Sequence, residues 1–214
     1  MSETIYGRNP VAEAHRGRRK VLREWTVADV GAAELERMCG SPDHQGIVAE
    51  VEPYPYADAD SLLEAEDALV LALDQVQDPR NVGAICRTAE AAGAAGVVLC
   101  ERRASGITAA VCKASAGAVE HLPVARVTNL SDWLIGARDR GAWSYGAAAE
   151  AEKSYRDLDL KGRSILVLGG EGSGLRPRVA DTCDELVKIP TTGKVGSLNV
   201  SVAAAVLAFA AGRV

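Results

Sequence analysis

The chain is predicted to be an α/β protein, with a mainly parallel sheet covered by helices on both faces and a short separate module ahead of it. Three observations carry this expectation. From Ala68 onward, short apolar runs alternate with helix-like segments, as strands do when buried on both faces and joined by helical crossovers. Two polar, glycine-rich loops, in LVLGGEGSGLRP and KIPTTGKVGSLNV, each follow such a run, and open α/β sheets bind ligands at strand ends. The composition also shifts near VEPYPYADAD, where Pro53 and Pro55 stand close to Asp58, Asp60 and Glu64; proline disfavours helix and stiffens the chain.

That shift places a linker over residues 54–66, a module over 1–53 and a larger domain over 67–214. The module is too short to bury much core alone, so it is expected either to dock or to stay mobile. In the larger domain, ALVLALD (68–74) is the first strand, and a helix runs from Asn81 to Ala92, stopped by Gly93. GVVLC (96–100) is the next strand, and ITAAVCKAS a short helix. LPVARV (122–127) reads as a strand, then LSDWLIGARDR as a helix with Ser131 or Asp132 in its first turn. AWSYGA (142–147), SILVLGG (164–170) and ELVKIP (185–190) are three more strands. RPRVADTC sits between the last two, with Pro177 suited to a first helical turn. A small-residue-rich helix from Asn199 to Ala211 closes the chain, ending at Gly212.

The 214 residues, 48% apolar and 25% charged, are ordinary for one sizeable globular domain with an appendage. No apolar run approaches the roughly 20 residues of a membrane span, and MSETIYGRNP is not a secretory signal. Cys39, Cys86, Cys100, Cys112 and Cys183 are odd in number and lack metal-ligand spacing, so they read as reduced thiols of a cytoplasmic protein. His15, His44 and His121 are scattered, and no metal site is expected. A net charge of −5 argues against a chain coated in nucleic acid. Arg8, Arg16, Arg18, Arg19, Lys20 and Arg23 nevertheless crowd the N-terminal part. A run such as HRGRRK is more often a solvated face than a nucleic-acid contact, which leaves RNA binding open.

Three constellations carry chemistry. In DQVQDPRNVGAICRTAEAAG, a strand ends at Asp74 and a helix begins near Asn81, which is suited to capping it. Arg87, six residues on, has a surface salt bridge with Glu90 as its bland reading. In LGGEGSGLRP, glycines at 169, 170, 172 and 174 let the backbone turn through positive φ and approach a ligand. Glu171 is a poor turn residue there, since aspartate or asparagine turns better. In IPTTGKVGSLNVSVA, Ser197 is a candidate cap for the last helix. Ser197, Asn199 and Ser201 at alternate positions, against a helix otherwise made of valine and alanine, favour a site instead.

Taken together, N-x-G-x-x-x-R (Asn81, Gly83, Arg87), the G-G-E-G-x-G loop around Glu171 and S-L-N-V-S-V-A (197–203) resemble the SpoU family of S-adenosylmethionine-dependent RNA ribose 2′-O-methyltransferases. The motifs stand in the family's order, and the resemblance covers roughly residues 68 to 212. IYGRNPVAEA and SPDHQGIVAEV are similar to the bacterial 23S rRNA guanosine-2′-O-methyltransferase subgroup. The resemblance implies a domain tied in a deep trefoil knot, an exception to the rule against threaded chains. It implies a homodimer with the last helix near the interface, where Ala203, Ala204 and Ala205 permit close approach. S-adenosylmethionine is expected near Ala147, Gly169, Gly170, Gly172, Ile189 and Leu198, and the catalytic set is expected to be Asn81, Arg87, Glu171, Ser197 and Asn199. The N-terminal RNA-binding module is shorter than the family's usual one. REW runs into TVADVG where another strand and helix are expected, so the module is trimmed or incompletely given.

Methyl transfer to a ribose 2′-hydroxyl requires oxygen and methyl at about 3–3.5 Å and removal of a proton. A guanidinium does not deprotonate in proteins, so Arg87 is expected to stabilise the developing alkoxide or grip the adjacent phosphate. Glu171 would orient Arg87 or take the proton through water, while Asn81, Ser197 and Asn199 would position the ribose and the loops. Alternatives remain: a transfer RNA or resistance rRNA methyltransferase of the same family, and a non-catalytic RNA-binding assembly factor. A nucleotide-dependent oxidoreductase lacks the early glycine fingerprint it needs.

Overall fold

A computed structural model describes residues 2–102, 104–193 and 196–211. The first part of the chain forms a module of its own. β1 (Glu3–Tyr6), α1 (Arg8–Ala14), β2 (Val21–Thr26), α2 (Val27–Val30), α3 (Ala32–Cys39) and β3 (Ile47–Val51) follow one another. The three strands make an antiparallel sheet in the order β1-β3-β2. β2 passes straight into α2 because the Asp29 carboxylate accepts from both the main-chain N–H and the hydroxyl of Thr26, at 2.8 and 2.7 Å. This reciprocal cap starts a helix with no intervening loop.

The module docks. Ile5, Val11, Ala14, Ala49 and Val51 are buried in the same apolar cluster as the helices of the larger domain. Residues 54–66 run along that domain as well. The Tyr54 hydroxyl donates to the Val119 carbonyl at 2.9 Å, and Ala57 forms a parallel bridge with Ala125. The basic run HRGRRK is likewise not a wholly solvated face, because Arg19 is buried at 3% exposure.

The larger domain contains β4 (Leu69–Asp74), α4 (Pro79–Ala91), β5 (Gly96–Cys100), α5 (Ala109–Ala114), β6 (Val124–Val127) and α6 (Leu130–Asp139). β7 (Trp143–Ala147), β8 (Lys153–Ser154), β9 (Ser164–Gly169), α7 (Pro177–Thr182), β10 (Glu185–Lys188) and α8 (Val200–Ala210) complete it. Seven strands pair in the order β6-β5-β4-β9-β7-β10-β8, every neighbour parallel. Every strand foreseen from the sequence is present. The short β8, which adds to the edge beyond β10, carries too few apolar residues to be seen in advance.

The side chains of β4 show why both faces need helices. Leu69, Leu71 and Leu73 enter one cluster with α4, α5 and α8, while Val70 and Ala72 enter another with α6 and α7. Successive strand residues point to opposite faces, so an all-apolar strand has to be covered twice. Replacing a fully buried residue such as Leu71 by alanine costs about 2–5 kcal/mol.

One helix start differs from the sequence expectation. α4 begins at Pro79, capped by Asp78, whose side chain accepts from Arg80 N at 2.8 Å; proline at the first position fixes the helical φ two residues before Asn81. α8 starts as expected, capped by Asn199, and Ser197 is not its cap. The expected end of this helix at Gly212 lies outside the described residues.

Candidate active site

The C-terminal ends of β4, β7, β9 and β10 bring the chemistry-bearing loops to one side of the sheet. Asp74 and Gly169 are directly paired across β4 and β9, so the loops that leave these strands start side by side. Between the loops after β7, β9 and β10 lies a cavity of about 640 Å3.

Its wall is built first by the glycine loop. Gly174 N donates to Gly170 O at 3.0 Å, folding residues 170–174 into a tight turn. Gly172 and Gly174 have φ of +72° and +64°, whereas Gly169 is needed for proximity: a Cβ there would collide with the Gly174 backbone. A loop with no side chains at these points leaves its main chain facing the cavity.

Asp74 anchors the loop from below. Its buried carboxylate accepts from Arg176 N at 2.8 Å and from Arg176 Nε at 2.7 Å. Neither residue was singled out in the sequence. The available signal was a lone acid ending an all-apolar strand, answered by an arginine just after the glycine run.

The loop before α8 forms the opposite wall. The Asn199 side-chain oxygen accepts from Ser201 N at 2.8 Å, while its amide donates to Asn81 Oδ1 at 3.1 Å. Asn81, 8% exposed in the first turn of α4, is therefore a brace between the first and third motifs. A buried amide oxygen with a directed partner is a satisfied group that also fixes geometry.

Ala147, Gly169, Gly170, Gly172, Ile189 and Leu198 all line the cavity, together with Glu171, Ser197 and Asn199. Glu171 and Ser197 are exposed at its open side. Asn81 touches it only through Asn199. Arg87 does not line it. That residue is exposed on α4, and among the described residues its side chain makes no hydrogen bond or ion pair, either with Glu90 or with Glu171.

None of the residues lining the cavity is a cysteine. Burial pushes the Cys100 thiol above its ordinary range and that of Cys183 up to about 12. Thiols so held are not nucleophiles near neutral pH.

A model of the SpoU rRNA methylase family matches residues 68–209. The chain belongs to this family. RNA methyl transfer from S-adenosylmethionine is the chemistry of SpoU proteins. A second family model, described as RNA 2′-O ribose methyltransferase substrate binding, matches residues 26–57 of the SpoU chain. A Bacillus subtilis (strain 168) protein named as a TrmH family tRNA/rRNA methyltransferase is 40% identical over 232 residues, covering 96% of this chain and 93% of that protein. The AdoMet-bound rRNA methyltransferase from Sinorhizobium meliloti superposes with a TM-score of 0.86 at 27% identity, over 99% of this chain and 87% of that one. The SpoU methyltransferase AviRb from Streptomyces viridochromogenes, at 24% identity, shares the fold with a TM-score of 0.84 over 99% and 89% of the two chains.

Proposed function

We propose that this SpoU chain methylates the ribose 2′-hydroxyl of a guanosine in 23S rRNA. One observation carries the reading: the second and third motifs line one cavity, and the first is tied to it by the Asn81–Asn199 hydrogen bond. The cavity suits S-adenosylmethionine. Its glycine loop, folded tightly where Gly169 meets the Gly174 backbone, turns main chain toward the cavity, and Leu198 and Ile189 offer apolar surface to a purine. Ala147, Gly169, Gly170, Gly172, Ile189 and Leu198 would hold the cofactor. When bound, it supplies a methyl group on a sulfonium, an activated leaving group that needs no metal.

The chain's own residues then do the positioning and the proton work. Asn81 and Asn199 hold the two loops in register. Ser197 and Glu171, at the open side, meet the ribose, and Glu171 takes the hydroxyl proton through water. Arg87, whose side chain has no partner among the described residues, keeps its donor fork for an RNA phosphate or the developing alkoxide.

Residues 1–53 are the RNA-binding module, 54–66 the connection and 67–214 the methyltransferase domain, a division supported by the two family models. The domain is knotted, and α8 packs on α4 and on residues 155–157, which follow β8. It dimerises through α8, which leaves Val202 at 47% and Phe209 at 52% exposure, with Leu198 just before it at 41%. The cytoplasm, where ribosomes assemble, is its place of action.

The test is methyl transfer from labelled S-adenosylmethionine to purified 23S, 16S and transfer RNA, followed by nucleoside analysis. Label as 2′-O-methylguanosine in 23S rRNA supports the reading. Label in transfer RNA overturns the substrate, an outcome that the tRNA/rRNA naming of the relatives makes the second reading.

A further inference from the structure

We propose that Arg19 is a positioning residue for methyl transfer: it locks the RNA-binding module onto the methyltransferase domain in one orientation, so that bound RNA reaches the cavity at a fixed distance. This rests on the function proposed above. Arg19 lies in the turn between α1 and β2, and its side chain is 1% exposed. Its guanidinium spends its donors on both parts of the chain. Nε donates to Glu120 Oε2 at 2.9 Å, Nη2 donates to Glu120 Oε1 and to Cys112 Sγ, and Nη1 donates to Glu3 Oε2 at 2.9 Å. The Tyr54 ring, in the connecting segment, lies 5.3 Å from the guanidinium carbon.

The surroundings repeat the same join. The Glu120 carboxylate is itself fully buried. Arg18 Nη2 donates to the Leu122 carbonyl at 2.7 Å, and Glu13 pairs with His121 at 2.8 Å. Gly17 sits so near Glu120 that a Cβ would lie 2.5 Å from the glutamate Cβ.

Physics separates orientation from adhesion here. The module already buries Ile5, Val11 and Val51 against the larger domain, and apolar burial is strong but non-directional. A buried ion pair adds little net stability over an apolar pair of similar size. Its planar, bidentate fork does impose one geometry, which a lysine cannot copy. A module that rocks on its apolar contact still binds RNA, yet seldom presents the ribose in line; a misplacement of about 1 Å can cost about a hundredfold in rate.

The experiment uses the full chain carrying R19M/E120M, which replaces the pair with apolar side chains. Cofactor and 23S rRNA affinities are expected within about threefold of wild type, while the single-turnover transfer rate falls tenfold or more. A merely structural role would instead lower cofactor affinity and melting temperature together with the rate. R19K is expected to fall nearly as far as the double variant. If R19M/E120M does not fold, Glu3→Gln, which alters only the half-exposed partner, is expected to lower the rate severalfold at unchanged melting temperature. Wild-type transfer rates in the folded variants overturn the proposal. A wild type that methylates none of the RNAs removes the function on which it rests. The lock is then judged by proteolysis of residues 53–58, where equal cleavage of wild type and double variant overturns it.

Discussion

The Asp74 carboxylate at the end of β4 grips both the main-chain N–H and the Nε of Arg176, and so ties the glycine loop to the centre of the sheet. Hydrogen bonds to a charged group are worth about 1.5–3 kcal/mol each, and more is lost when a buried partner is orphaned. Asp74→Asn is expected to weaken S-adenosylmethionine binding tenfold or more and to lower the melting temperature by several degrees. Arg176→Met, which keeps the main-chain contact, is expected to do less. Calorimetric titration of both variants checks the order; equal cofactor affinity in Asp74→Asn and wild type would show that the loop holds its shape unaided.

Asn199 does two jobs that one substitution can separate. Its oxygen caps α8 and its amide donates to Asn81. Asn199→Asp retains the cap but sets an acceptor against the Asn81 oxygen. The helix is expected to survive, with circular dichroism unchanged, while methyl transfer falls tenfold or more. Asn199→Ala loses the cap as well, at about 0.5–2 kcal/mol. Transfer by Asn199→Asp at the wild-type rate would remove the brace from the site.

Arg87 stands outside the candidate cofactor cavity, and its side chain has no partner among the described residues. Arg87→Ala is therefore expected to leave melting temperature and cofactor affinity unchanged while lowering turnover a hundredfold or more. Arg87→Lys should recover little, because an ammonium lacks the planar fork. Loss of cofactor binding in Arg87→Ala, measured by calorimetry, would contradict this role.

The sheet was legible because β4, β5 and β9 are so apolar that only burial on both faces accommodates them. The cavity was legible because glycine, serine and asparagine interrupt that apolar pattern at Gly169–Gly174 and Ser197–Asn199. What escaped the sequence were pairings between distant residues. Asp78 and Asn81 are both good caps three positions apart, and only the contact with Asn199 decides which one faces inward. Asp74–Arg176 and Arg19–Glu120 are separated by about a hundred residues each. A charged residue looks solvated in sequence until its buried partner is known, which is why the basic run concealed Arg19.

The buried thiols make stability depend on alkaline pH. Burial pushes Cys86 up to about 12 and Cys112 to about 11, against 9.0 for an unhindered thiol. Both raised values favour the neutral thiol in the folded state. Below pH 9 the thiols are neutral in both states and cost nothing. Above pH 9 the unfolded chain releases these protons while the folded chain keeps them, so stability falls as pH rises toward 11. Each thiol contributes a slope of up to about 1.4 kcal/mol per pH unit. The Tyr54 phenol, also raised by burial, adds its own fall only above about pH 10, its ordinary range. From pH 9 to 10 the fall therefore comes mainly from the raised thiols, Cys100 and Cys183 among them. Melting temperature is expected to stay level from pH 7 to 8.5 and then to drop by several degrees by pH 10. Cys86→Ala should melt lower at pH 8, because it leaves a small cavity, but with a flatter slope above pH 9. A slope unchanged by Cys86→Ala would mean that this thiol ionises at the same pH in both states.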